Sequence, residues 1–168
     1  MRWSSGDARR TTVRIGLGIA LAAVAGGVVV SLARSAREER QCIENLQSVY
    51  DAVHRYDEKH ASLPDLAFFP GDVRRDLDSL LVVLEPHGLR EPQCVCPGAD
   101  PVLAETGITY VWNVSLNGRR LSSLEIPVWM MVEINVLSPS VPATHRGGYH
   151  VLYTDGRVER EVNPPAIL

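Results

Sequence analysis

Residues Ile15 to Ala33 (IGLGIALAAVAGGVVVSLA) form a run of 19 residues without a charge. No other feature of the chain restricts its fold as sharply. As a helix the run would be about 28 Å long, close to the thickness of a bilayer's hydrocarbon core. Arg14 precedes it, and Arg34 and Arg37 follow. Its glycines would weaken a helix in water but are common in membrane spans. The spacings Gly18–Ala22 and Ala22–Gly26 would let a second helix approach closely. The reading is a retained anchor carried by Ile15, Leu17, Leu21, Val24, Val29 and Leu32. Ser31-Leu32-Ala33 fits a signal-peptide cleavage site, but the run exceeds the ~7–15 residues of a signal-peptide core.

Charge sets the orientation. The segment before Arg34 carries four Arg and one Asp, whereas the remainder carries 13 basic and 19 acidic groups. The positive flank stays in the cytoplasm. This predicts a cytoplasmic head over 1–14, a transmembrane helix over 15–33 and an extracytoplasmic domain over 34–168, in a cell membrane crossed once. The lipid bilayer is then an obligate partner. With 17 Lys+Arg against 20 Asp+Glu, a nucleic-acid partner is not expected. The chain's 168 residues, 45% of them apolar, suit one folded domain rather than a disordered chain.

No helix breaker occurs between Ala33 and Pro64. Cys42, Ile43, Leu46, Val49, Tyr50, Val53 and Tyr56 recur at helical spacing among charged residues, giving one apolar stripe on a wet helix. Joined to the membrane run, residues 13–61 would make a helix about 70 Å long. The stripe needs a covering surface, with Ile43, Leu46, Val49 and Val53 as the packing residues. Downstream, Asp72 is placed to cap a second helix bearing Leu77, Leu80, Leu81 and Leu84. The period then changes to strands. Ile108–Val114 is rich in β-branched and aromatic residues, and Pro127–Val136 (PVWMMVEINV) is apolar enough to be covered on both faces. Trp112, Trp129, Met130 and Met131 read as core within these runs. In Tyr149–Val162, two strand-like runs flank Asp155-Gly156, a pair suited to a type I′ hairpin turn. The expected class is α+β, with a long membrane-spanning N-terminal helix packed in its second half on a small antiparallel sheet.

Four segments carry a resemblance. They are Cys42-Ile-Glu-Asn45-Leu46 within 37–46, Tyr56 to Leu63-Pro64, Cys96-Pro97-Gly-Ala-Asp100-Pro101, and His145-Arg-Gly147-Gly148-Tyr-His-Val151-Leu152-Tyr-Thr-Asp155-Gly156-Arg-Val158. In this order and after a membrane helix, they resemble bacterial pseudopilin-like envelope proteins of the type II secretion pilin G/H group. The resemblance implies a pilin-like fold and association with other pilin-like subunits through the N-terminal helix. One part departs from the pattern. Pilin precursors carry an acid inside the apolar helix, whereas here no acid lies between Asp7 and Glu38. The globular likeness is present without the filament-alignment signal.

Three cysteines in an exported domain allow one disulfide. Neighbouring Cys94 and Cys96 are poorly placed to pair with each other. The resemblance selects Cys96, so a Cys42–Cys96 bond is expected, closing a loop of about 54 residues for about 4 kcal/mol. A metal held by Cys94, Cys96 and a His is the alternative, but one C-x-C pair is a weak metal signal. No metal and no cofactor is therefore expected. His145, His150 and Asp155 could meet at one end of the hairpin. However, the chain has no G-x-S-x-G, H-E-x-x-H, P-loop or G-x-G-x-x-G pattern, and no catalytic residue is assigned. The expected function is a non-enzymatic, single-pass envelope protein with a structural role in a secretion or pilus-like assembly. The alternative is a membrane-tethered binding module acting as a monomer.

Overall fold

The computed structural model describes residues 6–138, 140–141, 143–145, 147–163 and 165, with side chains from Val29 onward. Two compact units divide the chain at 37/38. The first contains the N-terminal part of helix α1, Gly6–His60. Of the expected anchor residues, Ile15, Leu17, Leu21 and Val24 have side chains outside the described residues. Val29 and Leu32 are exposed, by 65% and 49%. Among the described residues, no helix is long and apolar enough to cross a membrane.

The second unit is α+β. Residues 38–60 of α1 bury Cys42, Asn45, Leu46, Val49, Ala52 and Val53. These lie at i, i+3, i+4, i+7, i+10 and i+11, one face of a helix. Ile43, expected in this face, sits half-buried at its margin. The helix ends at His60, and Ala61 follows with a φ of 56°. Two short helices follow, α2 (Leu80–Leu84) and α3 (Pro101–Ala104).

The second helix is shorter than its leucine spacing predicts. Asp72 caps a turn instead of a helix, accepting from the Arg74 amide at 2.9 Å. Asp76 folds back to accept from the Asp72 amide at 2.8 Å. Such side-chain to backbone bonds compete with helical ones. Leu77 is left 88% exposed, and α2 starts only at Leu80.

The sheet is a four-stranded antiparallel meander in the order β1 (Tyr110–Trp112), β2 (Trp129–Glu133), β3 (Tyr149–Tyr153) and β4 (Val158–Glu161). Alternation puts Tyr110, Trp112, Met131, Glu133, His150 and Leu152 on one face and Val111, Val132 and Val151 on the other. On the first face, Trp112, Met131 and Leu152 share a buried cluster with Leu46, Val49 and Val53 of α1. The second face is closed by Val136, with Phe68, Phe69 and Ile134 packed around it. Both faces of β2 within the Pro127–Val136 run are thus covered, while Pro127 itself is exposed.

The hairpin turn contains Asp155 and Gly156 as expected, but it is centred one residue earlier and is of another type. Type I′ needs positive φ at both central residues. Here Gly156 has a φ of 83°, while Ala61 is the sole non-glycine residue with positive φ among those described. The Gly156 amide donates to the Tyr153 carbonyl at 3.0 Å, and the Tyr153 amide donates to the Arg157 carbonyl at 2.9 Å. This is a type I turn over Thr154-Asp155 followed by a left-handed glycine bulge. Asp155 stabilises it by accepting from Arg157 Nε at 2.6 Å. Gly156 has a second duty, since a Cβ there would stand 2.9 Å from Cε1 of Tyr50 on α1.

Candidate metal centre

Four segments distant in sequence meet at one end of the helix–sheet interface. Helix α1 supplies Cys42, and the loop after the turn at Glu91–Cys94 supplies Cys96. Strand β2 ends in Glu133, and the loop entering β3 supplies His145. One potential ligand atom from each lies within 4.8 Å of all the others, and all four residues are buried. Glu133 Oε1 is 3.2 Å from Cys42 Sγ, 3.9 Å from Cys96 Sγ and 3.3 Å from His145 Nε2. Cys96 Sγ is 3.1 Å from His145 Nε2.

A surrounding layer fixes these groups. Tyr110, paired with Glu133 across β1 and β2, places its hydroxyl 3.2 Å from Cys42 Sγ. His150 places Nδ1 3.2 Å from Glu133 Oε1 and Nε2 3.6 Å from Oε1 of Glu39. Arg160 closes the rim with a 3.0 Å hydrogen bond to Glu39. Asn45, one turn along α1 from Cys42, donates to the Val95 carbonyl at 2.8 Å, and the Cys96 amide donates to Thr109 Oγ1 at 2.7 Å. The peptide unit that leads into Cys96 is thereby clamped at both its carbonyl and its amide. Behind it, a Cβ on Gly98 would stand 3.1 Å from the His145 ring.

Charge is distributed unevenly. The hydrogen bond between the two cysteines, helped by burial, raises the Cys42 thiol. The same bond lowers Cys96 to about 6, against burial and with help from His145. Burial opposes charging His145, but its bonds to Cys96 and Glu133 win and raise it to about 10. Burial likewise opposes the Glu133 carboxylate, which His145 and His150 nevertheless hold at about 2. The favoured state has a Cys96 thiolate and a Glu133 carboxylate around a His145 imidazolium.

A nucleophilic triad requires the imidazole to use one nitrogen for the nucleophile and the other for the acid. Here Nε2 of His145 faces both Cys96 and Glu133. Several donor atoms converging on one point is the arrangement of a ligand set. A cleft of about 240 Å³ is lined by Gly98, Asp100, Leu103, Asn135, Val141, Ala143 and Thr144, and by none of the four.

The expected Cys42–Cys96 disulfide is not formed. The two residues do meet, but as free thiols, each engaged with other polar groups. Of the two sulfurs in the alternative metal reading, Cys96 lies in the group, but Cys94 is buried with Sγ 4.0 Å from the Arg90 carbonyl. The Cys94 thiol is raised to about 12, mainly by burial. Asp155 does not join the histidines. It lies in the turn beyond the far end of β3, five residues along the chain from His150. His145 and His150 do come together, with ring centroids 4.6 Å apart. Glu133 is the residue that sequence reasoning missed. Its signal was an acid inside the otherwise apolar run PVWMMVEINV, where a charge needs a partner. The chain matches no family model, no curated protein and no solved structure.

Proposed function

We propose that the chain is a non-enzymatic, single-pass envelope protein whose pilin-like domain lies outside the cytoplasm and has a structural role. The observation that carries the reading is the division of α1. Its later part buries one apolar stripe on a four-stranded antiparallel sheet. Its earlier part includes the charge-free run Ile15–Ala33, behind a basic head. A helix serving two apolar environments in succession is the pilin-like plan. A non-catalytic role is supported by the burial of the Cys–His–Glu group and by its unsuitability as a triad.

The test is fractionation of cells producing the full chain. It should stay with membranes after alkaline washing, and protease added outside should digest the body and spare the head. Release by the wash would contradict the anchor. A second reading, a tethered binding module acting as a monomer, is favoured by the absence of an acid between Asp7 and Glu38. Crosslinking in intact membranes separates the two. A ladder of multimers supports assembly, and a monomer at every crosslinker level supports the module.

A further inference from the structure

We propose that Cys42, Cys96, Glu133 and His145 are the four protein ligands of a structural zinc site that pins α1 to the sheet. The argument starts from donor chemistry. Two thiolates, one imidazole and one carboxylate form a borderline-soft set suited to Zn²⁺, and unsuited to Ca²⁺ or Mg²⁺, which take oxygen ligands.

The geometry agrees. Metal–ligand distances of about 2.0–2.3 Å imply tetrahedron edges of roughly 3.3–3.8 Å. Four of the six edges measure 3.1, 3.2, 3.3 and 3.9 Å, and the other two lie within 4.8 Å. Shifts of a few tenths of an ångström to about one ångström would bring the set onto the ion.

Glu133 supplies an independent observation. It is 1% exposed, and its Oε2 has no hydrogen-bond partner among the described residues. A carboxylate oxygen buried in that condition is costly; the donor distances above all run to Oε1, so an ion held through both carboxylate oxygens would partner Oε2 as well. The outer layer matches as well. Ligating carboxylates and sulfurs are held by secondary hydrogen bonds; His150 reaches Glu133, and the Tyr110 hydroxyl reaches Cys42.

Four buried protein ligands leave no open position, so the site is structural. Loading with Zn²⁺ gives a dithiolate complex and releases two protons, one from the Cys42 thiol and one from the His145 imidazolium, with ionised Glu133 completing the shell; nothing is oxidised. The ion would tie together α1, the Cys96 loop, β2 and the entry to β3. The inference holds wherever the domain resides.

The experiment uses the full chain, produced with zinc in the medium and purified without oxygen or chelator. Elemental analysis should find about one zinc per chain. Replacement by Co²⁺ should give the visible bands of a tetrahedral site and sulfur-to-cobalt charge transfer. Glu133→Gln and Cys42→Ser should each weaken zinc binding at least about 100-fold, while Cys94→Ala keeps one equivalent. If Cys42→Ser does not fold, the wild-type cobalt spectrum carries the test. Wild-type protein lacking zinc and cobalt-thiolate bands would overturn the proposal. So would a Cys42–Cys96 disulfide mapped in the anaerobic protein, zinc retained by Cys42→Ser, or zinc lost from Cys94→Ala.

Discussion

Towards its C-terminal end, the buried stripe of α1 is Leu46, Val49 and Val53, sharing a cluster with Trp112, Met131 and Leu152. One to two turns earlier, the same sheet face presents Tyr110, Glu133 and His150, and the helix answers with Glu39 and Cys42. One helix face and one sheet face thus form a single interface with an apolar end and a polar end. The apolar end is non-directional and tolerates many residues of similar volume. The polar end is directional, and each group there depends on the presence of the others. The first holds the layers together. The second fixes how far along the sheet the helix sits.

The largest expected effect lies at the polar end. Glu133→Ala removes a carboxylate that His145 and His150 both face and should destabilise by about 3–5 kcal/mol. Urea titration of the full chain by tryptophan fluorescence checks this, and a loss below 1 kcal/mol would make the polar end decorative. Leu46→Ala tests the other end and should cost about 3 kcal/mol through transfer and cavity terms. Gly148→Ala comes next. Gly148 has a φ of 149°, and a Cβ there would run into the Glu161 backbone carbonyl. A loss of about 2 kcal/mol or more is expected, together with weaker protection of His145 against alkylation as its loop shifts. Tyr110→Phe removes only the hydroxyl beside Cys42 and should cost about 1 kcal/mol. The smallest effect has the opposite sign. Ala61 is left-handed just beyond α1, where glycine is the usual residue, so Ala61→Gly should stabilise by about 0.5–1 kcal/mol, read as a raised urea midpoint.

What could be read from the sequence was local, and what could not be read was long-range. The stripe of α1 repeats every three to four residues and can be seen in a short window, as can the Asp155-Gly156 turn. The turn's type is decided by a finer matter: Asp155 bonding to Arg157 and Gly156 lying against Tyr50. The Asp72 helix fails because three aspartates in seven residues offer the backbone better local partners. The four members of the polar cluster come from four segments separated by tens of residues, and no spacing rule connects them. Cys42, Cys96 and His145 each drew notice in the sequence for separate reasons. Glu133 was the missing link, hidden by the apolarity of its neighbours.

Amide hydrogen exchange on the full chain tests the single interface most directly. The amides of 46–53 on α1 and those of Glu133 and His150 should exchange together, at the slow rate set by global unfolding. Exchange of the 46–53 amides at the rate of the exposed last turn of α1, ahead of the sheet, would contradict the account.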